Sequence, residues 1–265
     1  MKKRVLILLA GIAVGFYACS TVAITGRKQL SLVSDTEIMS LSLQEYGDFM
    51  KTAQRSTDRT NTALVVEVGQ KLAGAVNNYY VSQGQASPAK DYAWEFNLVK
   101  DAQVNAFCLP GGKIVVYEGI LPYTKTETGL AVVLGHEIAH AIAKHANERV
   151  SQQLVTQYGA ALLSELVSNK SDLTKSLIGM AYGMGTQYGV LLPFSRTQEL
   201  EADHLGLIFM AIAGYDPREA IPFWQRMATQ GASVPEFLST HPSDATRINA
   251  ISDELQEALR YYEKK

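Results

Sequence analysis

The chain has 265 residues, 47% hydrophobic and 19% charged, a length and composition that suit a globular protein with one good core of catalytic size. Its formal net charge of −2, without a Lys/Arg cluster beyond the first residues, excludes the electrostatic footprint of a nucleic-acid binder. With only two cysteines, Cys19 and Cys108, a disulfide framework is also excluded.

From the N-terminus, "MKKRVLILLAGIAVGFYACS" carries a basic start at Lys2, Lys3 and Arg4, then an apolar run from Val5 to Ala18 that is short for a membrane span. It reads as an export signal over residues 1–18. Ala18 and Cys19 resemble a bacterial lipoprotein cleavage site, with Cys19 acylated as the first mature residue, although Phe16 and Tyr17 depart from that pattern. Ser20 then favours outer-membrane sorting. The resulting expectation is a bacterial cell-envelope protein, lipid-anchored and facing the periplasm, with Cys108 left without a disulfide partner.

Residues 19–33 read as an extended tether that docks on a domain spanning 34–265, whose first helix starts near Ser34 or Asp35. The polar cluster from Lys51 to Asn61 reads as a mobile loop. Val65, Val68, Leu72, Val76 and Tyr79 follow at helical spacing, and Trp94, Phe96 and Leu98 at strand spacing. Val104 to Leu121 predicts two short strands around a turn at Pro110, Gly111 and Gly112. Next comes the run "GLAVVLGHEIAHAIAKHANER", placed on a helix by its length, its Ala and Leu content and a capping-box pattern at Thr124 and Glu127. The apolar stretch with Gly179, Gly183, Gly185 and Gly189 lacks a clean membrane-length run and is expected to pack near the site. Ser195 with Gln198 predicts a helix ending before Gly214, Asp216 and Pro217 open another that stops near Gly231, and Ser243 caps the last. The fold class is therefore α+β, mainly helical with a small sheet.

Inside the apolar run the only ionisable side chains between Thr128 and Ala143 are His136, Glu137 and His140, each costly to bury without a partner. On a helix the two histidines lie about 40° apart and about 6 Å along the axis, so both rings leave one face. H-E-x-x-H in this setting binds Zn²⁺ through two neutral imidazoles and leaves Glu137 as general base; histidines merely hydrogen-bonded in a core would leave Glu137 without a rationale. A third ligand must come from elsewhere, because the sequence after His140 lacks the extended H-E-x-x-H-x-x-G-x-x-H form. Glu199, Glu201 and Asp203 are the candidates, and periodicity alone does not choose. Glu201 leads the apolar stripe of Leu205, Ile208 and Ile212, which points to Glu201. His145, about 140° from His140 on a continuous helix, is expected to be exposed, and His204 to be a packing residue.

Taken together, "HEIAH", "SRTQELEADHLG", "NAFCLPGG", "STHPSDATRI" and "TGRKQL", spread from Thr25 to Ile248, resemble the zinc metallopeptidase family that includes HtpX, BepA, LoiP and the mitochondrial Oma-type protease. That resemblance implies a zincin-like (gluzincin) domain with an edge strand beside the histidine helix, belonging to the soluble, lipoprotein-type branch. It implies one zinc held by His136, His140 and Glu201, Glu137 as base, and Asp203 as the group fixing a ligand histidine. Asn105, Ala106 and Phe107 would form the strand on which an extended substrate pairs. His241, followed by Pro242, would donate to the developing oxyanion or reach the zinc as a fourth ligand, and Arg247 would steady that loop or pair with an acid. The implied activity is that of a metalloendopeptidase acting on misfolded or unfolded envelope proteins in protein quality control. The rival is a lipid-anchored chaperone or binding protein that uses the same groove in a non-cleaving or latent way; the complete motif argues against it.

Overall fold

The computed structural model describes residues 19–166, 195–228, 237–238, 241 and 245–262. The leader over 1–18, the glycines from Gly179 to Gly189, Gly231, Pro242 and Ser243 lie outside the described residues.

The tether folds into a small antiparallel hairpin, β1 (Cys19–Thr21) and β2 (Lys28–Leu30), before the first helix. Helix α1 (Asp35–Thr52) starts where expected, with the Ser34 hydroxyl accepting from the Glu37 amide, and α2 (Arg59–Ser82) is capped by Asp58. The loop read over Lys51 to Asn61 is accordingly shorter than expected. It is also pinned, because Ser56 donates its amide to Leu98 and Lys100 donates to Gln54. Helix signals at both ends of the polar cluster, the Asp58 cap among them, were hidden by its uniform polarity.

Strands β3 (Glu95–Val99), β4 (Ala106–Leu109) and β5 (Lys113–Tyr117) form one sheet in the order β3-β5-β4, with β3 parallel and β4 antiparallel to β5. The β4–β5 turn uses positive φ at Gly111 and Gly112, where glycine costs least. Alternation then splits the sheet: Ala106, Cys108, Ile114 and Val116 face the main core, while Phe107, Leu109, Val115 and Tyr117 face a second cluster with Ile38, Leu41 and Ala146. Strand β4 is an edge, as expected, and packs against the histidine helix.

A short helix α3 (Leu121–Thr124) precedes α4 (Glu127–Ile142). The cap of α4 is Thr126, whose hydroxyl accepts from the Gly129 amide, and not Thr124, which ends α3. From Gly129 to Ile142 every residue of α4 is buried, so it forms the axis of the domain, wrapped by α2, α6 (Arg196–Ala213) and the sheet. Helix α5 (His145–Leu166) follows after a break at Lys144, whose φ is 59°. Helix α6 has the capping box of Ser195 and Gln198 and stops at Gly214, with φ 95°. Helices α7 (Ala220–Ala228) and α8 (Ala245–Tyr262) complete the described chain.

Helices α4 and α6 come close at Gly135 and Gly206: a Cβ on Gly206 would lie 3.0 Å from the His136 amide nitrogen and 3.1 Å from the Gly135 carbonyl carbon. Both neighbours are backbone. Gly206→Ala is therefore expected to push the helices apart, costing about 1–3 kcal/mol in a urea melt and weakening metal uptake. Unchanged stability would show that the pair yields without strain.

Candidate metal and catalytic site

Helix α4 presents His136 and His140 one turn apart, with ring centroids separated by 4.6 Å and Nε2 atoms by 3.0 Å. From α6, Glu199 brings one carboxylate oxygen to 3.4 Å from His140 Nε2 and the other to 3.5 Å from His136 Nε2. His241 adds Nδ1 at 3.2 Å from His136 Nε2 and 3.0 Å from Glu199 Oε1. All four side chains are buried, and their ligand atoms lie within 4.8 Å of one another.

Here the sequence expectation needs correction. Glu199, not Glu201, faces the histidines. Glu199, Asp203 and Gly206 recur at i, i+4 and i+7 and so share the face of α6 that touches α4. Glu201 lies on the opposite side, where Thr25, Arg27 and His145 surround its carboxylate. The argument from an acid leading an apolar stripe failed because the partners that neutralise Glu201 are remote in sequence.

The proton inventory of the cluster fits a cation. His136 Nδ1 lies 2.9 Å from Asp203 Oδ1, so its proton belongs there and Nε2 is left as a lone pair. His140 Nδ1 sits 2.8 Å from His145 Nδ1, while His145 Nε2 donates to Glu201 Oε2 at 2.9 Å. His140 Nδ1 must then be the donor to His145, and His140 Nε2 is a lone pair too. Two imidazole lone pairs and a carboxylate thus converge at 3.0–3.5 Å. Such crowding is unfavourable without a positive charge between them, and the separations match the edges of a tetrahedron with bonds of about 2.0–2.1 Å. Asp203 stands at His136 Nδ1, where a group that fixes a ligand histidine would have to be.

Arg247 on α8 ties the far side together. Its Nε and Nη2 bond Asp203 at 2.5 and 2.8 Å, Nη1 lies 2.7 Å from Glu199, and its guanidinium sits 3.8 Å above the Trp224 ring. Burial alone would raise the pKa values of these carboxylates, yet the guanidinium holds Asp203 below, and Glu199 well below, the ordinary range. Burial and Arg247 oppose charge on His136, but Asp203 and Glu199 outweigh them and raise its pKa to about 9, so without a cation Nε2 takes up a second proton, which a bound metal would displace. Trp224 also stacks on Phe237, which leans on His241. Trp224→Leu is expected to cost about 2 kcal/mol in a thermal melt, from lost packing and the lost cation–π contact.

Glu137 is buried, and its Oε1 has no hydrogen bond among the described residues; it lies 3.3 Å from His241 Nε2. Burial raises its pKa, opposed by His241, His136 and the Cys108 backbone. That backbone contact sets edge strand β4 directly beside Glu137. Asn105 leads into the same strand and Ala106 opens it, whereas the Phe107 ring packs edge-on against Phe49 in the second core.

His145, expected to be exposed, is fully buried. The turn at Lys144 resets the helical phase and folds the ring back onto His140. His204 lies away from the site, 3.5 Å from Glu254 on α8.

The model of peptidase family M48 matches residues 69–255. The chain belongs to this family. Among curated relatives, this M48 chain is 35% identical to mitochondrial metalloendopeptidase OMA1 of Schizosaccharomyces pombe over 89% of the chain and 63% of that protein. It is 38% identical to the Arabidopsis thaliana protein of the same name over 64% of the chain and 34% of that protein. To the beta-barrel assembly-enhancing protease of Yersinia pestis it is 31% identical over 59% of the chain and 33% of that protein. The M48 chain thus spans between a third and two thirds of the length of these relatives. The expected address in a bacterial cell envelope, at an outer membrane facing the periplasm, does not stand, because the relatives matched over 89–91% of the chain, from fission yeast to human, are named mitochondrial. Among the described residues no helix is long and apolar enough to cross a membrane.

Proposed function

We propose that the chain is a zinc-dependent endopeptidase that hydrolyses extended or unfolded polypeptide and serves protein quality control. The observation that carries this reading is the convergence of His136, His140 and Glu199 beside a buried carboxylate, Glu137, with an uncommitted oxygen. Zinc in this site would supply a Lewis acid that polarises the scissile carbonyl and makes water more acidic. Glu137 would take the proton at Oε1 and return it to the leaving amine, a role that its raised pKa suits. An extended substrate would pair along the Asn105–Phe107 edge next to that carboxylate.

His241 takes a double part in the proposal. Its Nδ1 stands among the ligand atoms, so with a metal bound it would close the cluster as a fourth ligand and hold the enzyme latent. Swung outward, it would leave the open position that catalysis needs and could serve the oxyanion. Its segment is also bonded beside the substrate edge, through the Phe237 amide, which donates to the Val104 carbonyl at 3.0 Å. Cys19, exposed at the head of β1, is the proposed acylation point that would tether the protein to a membrane.

The test is zinc content and casein cleavage by the full chain, before and after removal of metal with a chelator and its return. About one zinc per chain, with cleavage lost and regained, is the expected result. Zinc without cleavage would favour the latent state, which His241→Ala should release; neither zinc nor cleavage would overturn the proposal.

A further inference from the structure

The Thr25–Gly26–Arg27 stretch and the buried His145 have no task in the reaction outlined above, yet they lie on one continuous path to the metal cluster. His140 donates from Nδ1 to His145, His145 donates from Nε2 to Glu201, and Glu201 accepts from both the Thr25 hydroxyl and Arg27 Nε, the latter at 2.7 Å. The Arg27 fork is completed by Glu148, reached by Nη1 and Nη2 at 2.9 and 2.8 Å, and Glu148 in turn accepts from Gln198. These contacts hold side chains from the β1–β2 hairpin, α5 and α6 in one knot. The arrangement repeats, with different residues, what supports the other histidine: His136 is held by Asp203, and Asp203 by Arg247.

We propose that Thr25 and Arg27, acting through Glu201 and His145, are positioning residues for the metal ligand His140, so that the docked N-terminal hairpin is a working part of the metal centre. This inference rests on the functional reading above and gives a task to the acid that the sequence had suggested as a ligand. The chemistry requires such an arrangement. Neutral imidazole ligates well only when its second nitrogen keeps its proton in a fixed direction, and His145, an acceptor at Nδ1 only while its own proton sits on Nε2, fixes that direction. The Glu201 carboxylate selects this tautomer of His145. Arg27 and Thr25 aim the carboxylate, and Arg27 does so with its side chain 21% exposed, where lifting the hairpin would remove it.

The experiment compares zinc dissociation constants of the full chain by chelator competition, with the melting temperature of the metal-free protein alongside. Arg27→Ala and Glu201→Gln are expected to raise the dissociation constant about tenfold or more, the range typical of such outer partners. Arg27→Lys should recover part of the loss. Thr25→Val, which deletes one hydroxyl, should shift the constant in the same direction with the metal-free melting temperature unchanged, and it decides the matter if Arg27→Ala does not fold. KM for a peptide should stay put while kcat at limiting zinc falls. Zinc constants within about twofold of wild type in all these variants, beside a wild type that binds one zinc and loses it on Glu199→Gln, would overturn the inference and leave the functional reading standing. A lowered metal-free melting temperature with an unchanged zinc constant would overturn it too, by showing the hairpin to be a structural strap. A wild type that takes up no zinc would overturn the functional reading first, and this inference with it.

Discussion

Glu137→Gln is expected to retain about one zinc per chain and to lose at least about a thousandfold in kcat, roughly 4 kcal/mol of barrier. The amide is nearly isosteric with the acid and can still accept from the Cys108 backbone, so the edge strand and α4 should stay in place. What disappears is the capacity to take a proton. Glu137 lies outside the group of converging ligand atoms, hence the separation between metal content and turnover. Zinc assay, circular dichroism and casein cleavage on the same preparation read all three quantities. Loss of zinc together with activity would instead place Glu137 in the ligand set, and retention of activity would remove it from the reaction.

Glu199→Gln should do the reverse and strip the site. Replacing the carboxylate removes the only anionic group among the four converging side chains and leaves the Arg247 guanidinium, 2.7 Å from Glu199 Oε2, with Asp203 as its remaining acidic partner on that side. A fall of at least about a thousandfold in zinc affinity is expected, against about tenfold for Glu201→Gln, because a lost ligand costs more than a lost outer partner. Chelator competition distinguishes the two. Equal losses, or the opposite ranking, would return the third-ligand role to Glu201.

Much of this was legible in the chain. The histidine pair, its glutamate and the helix that carries them follow from an apolar run interrupted at helical spacing, and the β4–β5 hairpin from two glycines between an apolar run and the β-branched Ile114, Val115 and Val116. The caps at Ser34 and Ser195 were equally plain. Glu199 and Glu201 were harder, since an acid on an apolar face carries no mark of its partner. Gly206 held the missing signal: a glycine seven residues after Glu199 marks the face where another helix backbone comes close. His145 was lost to a single dihedral, since nothing in "AIAKHANER" announces that Lys144, a residue with a Cβ, turns left-handed. Arg247 was visible as a charge, but its burial against two acids and an indole depends on tertiary contacts that periodicity does not encode.

The metal site gathers residues from almost the whole length of the chain. Arg27 meets Glu201 across 174 positions, and Arg247 meets His136 across 111. Contacts of such separation form late, after the loops between them have closed. During synthesis the histidine helix emerges long before α6 and α8, so a growing chain holds the H-E-x-x-H segment without its third ligand, its arginine or its oriented imidazoles. In the proposed enzyme the hydrolytic apparatus would thereby be withheld until folding is nearly finished, and a half-made copy in a crowd of other unfolded chains would be harmless to them and to itself.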